Sequence, residues 1–236
     1  MLRYLLLFGL LPFFGYSQNS TVFQSWNELG LNYKIDKKQS LGVELTTRFD
    51  VAGLQTIFPQ VSYKYKINKF LKPSLDYRLI GSKDDFGNFT IQHRLNANLQ
   101  FAHEIERLEL GLRMRYQFSA NRSQTDFGSE FNNAFRFKPS LAYNLDNSKI
   151  TPNAGMELFC TPMDGQIGYH LSRIRWNVGV AIDLKGASEL EIAYLYDQRI
   201  HNPGALNRAI LNLSYGYALG ANTNKDKPKQ RTPHFL

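Results

Sequence analysis

Two Arg-x-Arg steps, Arg113 with Arg115 and Arg173 with Arg175, place paired guanidinium groups on one side of an extended chain. Paired guanidiniums offer forked donors to a phosphate or a carboxylate. They belong to a wider set. Arg48, Lys64, Lys66, Arg78, Arg94, Arg136 and Lys138 fall on the corresponding phase of their own segments, together with Glu28, Glu44, Asp76, Glu109, Glu157, Asp183, Glu189 and Glu191. Gathered in a narrow space, these groups would fill it with ion pairs, since a buried charge needs a partner. Spread around a wide space, they would line a water-filled passage that weakly favours anions. Both remain open at the level of sequence.

Catalysis has thinner support. Asp84, Asp85, Asp126, Asp164, His170, Asp197 and His201 lie in or beside links rich in turn residues, and Asp197 with His201 could pair as an orienting carboxylate and a base. Asp is common in turns for local reasons, and no Ser-, His- or Asp-bearing motif of recognisable spacing accompanies these residues. One Cys, Cys160, and scattered His give no metal-ligand spacing, so no metal and no cofactor is expected. Cys160 shares the phase of Leu158 and is expected to serve as an apolar filler.

The elements that must position the charges can be read from alternation. In RLELGLRMRYQF, residues 107–118, Leu108, Leu110, Leu112, Met114, Tyr116 and Phe118 interleave with Glu109, Gly111, Arg113, Arg115 and Gln117. A strand sends the two sets to opposite faces. The pattern recurs from Leu29 to Leu219, for example in Val61, Tyr63, Tyr65 and Ile67 against Ser62, Lys64 and Lys66. About eleven segments show it and no helical period follows the first twenty residues, so the chain is all-β. Short polar turns (DKKQ, NKF, AHEIER, DNSK, KGAS) alternate with links that are mostly longer, such as GSKDDFGN and SANRSQTDFGS. Two hairpins, from Pro59 and from Pro139, look alike, and their prolines are expected at strand ends or bulges.

Alternation does not say which face meets which solvent. The polar phase is dense in long charged and amide side chains, as a lumen would be. The apolar phase runs about 9–11 residues, enough for a tilted strand to cross a bilayer. Aromatic residues on that phase gather toward segment ends, where rings sit at lipid interfaces. A closed antiparallel transmembrane barrel is expected over a soluble, lipocalin-like exported binding barrel. A sheet in lipid must close, and bacterial single-chain barrels have an even strand count, so twelve strands are expected, with ten as the alternative and either a missed strand or STVFQSW as the extra one.

The N-terminus, MLRYLLLFGLLPFFGYSQ, has a basic Arg3, a short apolar run and small residues near Ser17, which is the pattern of a secretory signal peptide over 1–17. The barrel is expected over 18–220, and 221–236 reads as a solvated, mobile basic tail. The formal net charge of +8 accompanies no base-stacking motif, so nucleic acid is a poor partner. Membrane lipid and lipopolysaccharide are the expected surroundings, with the barrel-assembly machinery as a partner during biogenesis and a monomer as the working state.

The pieces QSWNELGLNYKIDKKQSLGVELTTRF, LGLRMRYQF, RFKPSLAYNL and SRIRWNVGVAIDLKGASELEIAYLYDQ resemble domain-of-unknown-function family 2490, from Gln24 to about Tyr217. The resemblance implies a small exported outer-membrane barrel of a Gram-negative bacterium. It transfers no activity and no catalytic residue. The expectation is therefore a barrel in the cell outer membrane that is not an enzyme: either a narrow porin-like passage for small solutes, or a structural or surface-interaction element. The rival is a hydrolase with its site at the long-loop rim.

Overall fold

A computed structural model describes residues 21–83, 87–121, 133–162, 167–184, 186–200 and 206–220. The expected signal peptide and basic tail lie outside these residues. Eleven strands follow one another: β1 Thr21–Lys34, β2 Gln39–Asp50, β3 Gly53–Tyr65, β4 Leu71–Lys83, β5 Phe89–Ile105, β6 Leu108–Asn121, β7 Ala134–Tyr143, β8 Ile150–Pro162, β9 Tyr169–Asp183, β10 Ser188–Arg199 and β11 Asn207–Gly220. Each pairs antiparallel with its sequence neighbour, and the sheet closes on itself.

The expected count of twelve is corrected to eleven, and the wall is not antiparallel throughout. STVFQSW makes no extra strand; from Thr21 onward it is the first half of β1, continuous with Leu29. An odd number of strands makes the first and last run in the same direction, so β1 and β11 pair parallel, from Thr21 opposite Asn207 to Lys34 opposite Gly220. A parallel ladder still satisfies both backbones along its length, which leaves the wall without a free edge. It also puts the start of β1 and the end of β11 at opposite rims.

Local chemistry sets the turns at the short-turn rim. Asp36 Oδ1 accepts from the amides of Lys38 and Gln39 at 2.6 and 2.7 Å, and Asn68 Oδ1 accepts from Phe70 and Leu71 at 2.8 Å each. These side-chain bonds add to the backbone bonds Ile35 to Gln39 and Ile67 to Leu71 that close each reversal. At the other rim the β6–β7 and β10–β11 connections are the longest, while β2 and β3 are joined by Val51 and Ala52 alone. Gly53, at φ +99°, makes that reversal possible.

The prolines differ from expectation. Pro59 and Pro139 stand inside β3 and β7, not at their ends. Pairing is interrupted there toward β4 and β8, because proline has no amide hydrogen to donate. Pro73 and Pro152, the second prolines of the same hairpins, stand where the ladder with the preceding strand ends.

The two phases of every strand resolve onto two faces. Leu29, Val43, Val61, Leu75, Leu95, Leu99, Leu141 and Val178 are exposed on the outside, Val178 at 65% and Leu29 at 59%. Exposed rings border this aliphatic belt: Tyr33, Tyr63, Tyr65, Phe70, Tyr143 and Tyr217 at the short-turn end, Phe23, Phe49, Phe89, Phe118, Phe135 and Tyr169 at the other. From Phe23 to Tyr33 is about ten residues, which at roughly 3.3 Å per residue and a tilt of about 40° is about 25 Å of height. The inside holds the polar phase, with Glu28, Asp76, Arg78, Arg94, Asn96, Glu157 and Arg175 all buried.

Candidate functional site, the barrel lumen

Alternation aims one side chain in two into the bore, and the closed wall then brings charges from distant segments together. Three carboxylates organise them. Glu157 on β8 receives Arg136 of β7 through Nε to Oε1 at 3.0 Å and Nη2 to Oε2 at 2.9 Å. Arg113 of β6 adds Nη2 to Oε1 at 2.9 Å, and Arg175 of β9 lies 3.6 Å from Oε2. Asp197 on β10 binds Arg173 at 3.3 Å and Arg175 at 3.1 Å through Oδ2. Asp76 on β4 accepts from Arg115 of β6 at 3.0 Å and from Asn98 of β5 at 2.9 Å.

This answers what the Arg-x-Arg steps do. Arg113 and Arg115 share a face of β6 but go to different carboxylates, Glu157 and Asp76. Arg173 and Arg175 converge on Asp197. The forks suited to a phosphate are occupied by the chain's own carboxylates. The same arrangement offsets like charges that the register sets directly opposite, Arg115 with Arg136 and Arg113 with Lys138; Arg78 also stands opposite Arg94.

The remaining expected lumen residues are placed as the phase requires. Arg78 Nε donates to Gln60, and Arg94 donates to Ser119 Oγ at 3.3 Å and Gln92 Oε1 at 3.2 Å. Glu44 is half-buried and accepts from Thr46 and Gln60, both at 3.4 Å. Glu28 and Glu109 are buried, as is Arg48. Glu191 accepts from Asn153 at 3.1 Å.

A layer of rings inside the bore went unforeseen. Trp26, Phe58 and Phe159 point inward and are buried, with Ile80, Leu195 and Ile210 beside the first two in one apolar cluster. Arg48 covers Trp26 at 3.9 Å and Phe58 at 4.9 Å, and Arg78 reaches Phe58 at 5.0 Å. Arg136, Arg173 and Arg175 surround Phe159 at 4.5, 4.7 and 5.0 Å. Arg175 also lies 4.8 Å from Trp26, joining β9 to β1 across the bore. Guanidiniums stacked on aromatic faces gain a cation–π attraction that strengthens when water is excluded. The sequence did carry a signal: Trp26 shares its phase with Glu28, and Phe159 with Glu157. It was hidden because the other rings mostly follow the outward phase.

A cavity bounded by Trp26, Lys138, Glu157, Arg175, Asn177, Leu195 and Asn212 has a volume of about 10 Å³. That is room for about one water.

Of the rim candidates, Asp197 and His170 lie among the described residues. Asp197 is buried against two arginines, with none of the freedom a rim carboxylate would need. His170 is half-buried and its Nε2 lies 3.2 Å from the carbonyl of Ile167. Asp84, Asp85, Asp126, Asp164 and His201 lie outside the described residues. Among the described residues, no three His, Cys, Asp or Glu side chains are grouped to hold a metal. Cys160 is a half-buried free thiol that follows Phe159 at the β8 irregularity.

No curated protein matches the chain. A family model described as "Protein of unknown function (DUF2490)" matches residues 23–209, which runs from the third residue of β1 to the third residue of β11. The match thus spans nearly the whole described wall and every carboxylate and arginine of the lumen network, and the chain belongs to that family.

Proposed function

We propose that the protein is an integral barrel of the cell outer membrane, closed to solutes by its own side chains, and that it works through its rims as a structural or surface-interaction element. The inverted polarity carries this: aliphatic side chains such as Leu29 and Val178 lie outside, while Arg136, Glu157 and Asp197 lie buried within. A soluble binding barrel would place the apolar set inside and the charges in water. The belt height of about 25 Å between two aromatic rings matches a hydrocarbon core. The signal-peptide pattern at 1–17 supports export. Short turns facing the periplasm and longer links facing outward follow the habit of such barrels.

Closure to solutes rests on the ring layer and the carboxylate hubs, which meet across the bore from β1, β2 and β9. The proposal assigns no enzymatic role, since Asp197 is engaged by Arg173 and Arg175. Planar-bilayer recording of the purified chain tests both parts. Insertion without steady conductance is expected. Steady anion-favouring conductance would replace the closed barrel by a passage, and failure to enter phosphatidylcholine vesicles would overturn the membrane reading. Lipid or peptide hydrolysis lost in His201→Ala would move the function to the rim.

A further inference from the structure

The short-turn rim is unevenly charged. The β1–β2 and β3–β4 turns expose Lys37, Lys38 and Lys69, while Lys34 and Lys66 flank them half-buried on the inward phase. Their one acidic residue, Asp36, is occupied by its own turn, accepting from the Lys38 and Gln39 amides and from Gln39 Nε2. The two turns are joined, since the Lys66 amide donates to the Lys38 carbonyl at 2.7 Å. Lys34 stands opposite Gly220, and four cations against one acid follow Gly220 in the sequence. Among the described residues the far half of the rim is more acidic: Glu104 and Glu106 are exposed there with Lys149, and Arg107 is paired with Asp146.

We propose that the β1–β4 sector of this rim binds the phosphodiester headgroups of anionic phospholipid in the leaflet it meets. The inference rests on the membrane reading above. Lipid is favoured over a soluble polyanion by the immediate neighbours of the lysines. Tyr33 and Tyr65 end the outward faces of β1 and β3 beside these turns and Phe70 follows Lys69, and all three rings are exposed on the outer wall. Rings in such a band sit at the lipid–water interface, so ammonium groups on the adjoining turns lie level with phosphates. A lysine ammonium is a compact charge that adapts to a mobile headgroup, and clustered lysines at a membrane surface gain from each anionic lipid nearby. The sector would therefore gather anionic lipid on one side of the barrel and leave the acidic side without it.

Native mass spectrometry of the full chain, folded in a zwitterionic detergent, tests this. Phosphatidylglycerol should be retained at roughly a tenth of the phosphatidylcholine concentration needed for the same occupancy. Replacing Lys37, Lys38 and Lys69 together by Gln should abolish the preference, and replacing all three by Arg should keep it. Equal retention of the two lipids by the natural chain overturns the proposal, as does a preference that survives the Gln replacement. So does a preference for lipid A over phosphatidylglycerol, or binding of inorganic phosphate without a lipid preference. Should the Gln variant fail to fold, salt decides: the natural chain's preference should collapse between about 50 and about 500 mM, and a salt-independent preference overturns it. Carbonate-resistant insertion into pure phosphatidylcholine vesicles reads the membrane assignment separately, because that step needs no anionic lipid.

Discussion

Arg136 forks onto Glu157, donating from Nε to Oε1 at 3.0 Å and from Nη2 to Oε2 at 2.9 Å, with both side chains sealed inside the barrel. The bidentate geometry restores much of what desolvation costs each group. Arg113 and Arg175 share the same carboxylate, so Glu157 balances three cations from three different strands.

Removing that carboxylate should therefore be costly. Glu157→Ala is expected to lower stability by about 3–5 kcal/mol, because it strands buried charge and does not merely delete a contact. Glu157→Gln should cost less, as the amide oxygen still accepts. Urea unfolding in micelles, followed by far-UV circular dichroism, reads the difference; equal stability of Glu157→Ala and the natural chain would remove Glu157 from the centre of the network.

The outer wall offers a test that separates lipid from water. Val178 is the most exposed residue of the aliphatic belt named above, and Val178→Arg should cost about 2–4 kcal/mol in a bilayer. Glu106→Arg, in the β5–β6 turn, should change stability by no more than about 0.5 kcal/mol. Refolding yields into phosphatidylcholine vesicles measure both. A barrel standing in water would tolerate Val178→Arg as readily as Glu106→Arg.

Trp26 is both a core residue and a stopper. Its ring is covered by Arg48 at 3.9 Å and approached by Arg175 at 4.8 Å, and it borders the small lumen cavity. Trp26→Ala should cost about 3–5 kcal/mol and leave a void beside two buried cations. Single-channel recording should then show brief anion-favouring openings absent from the natural chain. A destabilised but electrically silent variant would place the closure elsewhere in the bore.

Eleven strands have a consequence for sidedness. With Cys160→Ser as background, Thr21→Cys at the start of β1 and Leu219→Cys near the end of β11 sit at opposite rims. A membrane-impermeant thiol reagent applied to one side of oriented vesicles should label one variant and not the other. Labelling of both from the same side would require an even-stranded wall and would dissolve the parallel seam.

Local chemistry alone determined a great deal here. A strand's two-residue period sorts Leu110, Met114 and Tyr116 from Glu109, Arg113 and Arg115 without reference to any other segment, so the all-β class and the two faces were legible at once. Asp36 and Asn68 act on amides two and three residues away, which is why the short turns were legible too. The strand number was not, because parity depends on how the first strand meets the last, and Thr21 and Asn207 share no local signal. Partner choice was equally hidden. Arg113 and Arg115 look equivalent in sequence, yet one reaches Glu157 on β8 and the other Asp76 on β4, since the curvature and stagger of the closed wall decide which carboxylate lies within reach. Trp26 found its arginines on β2 and β9 for the same reason: only closure brings those strands around one ring.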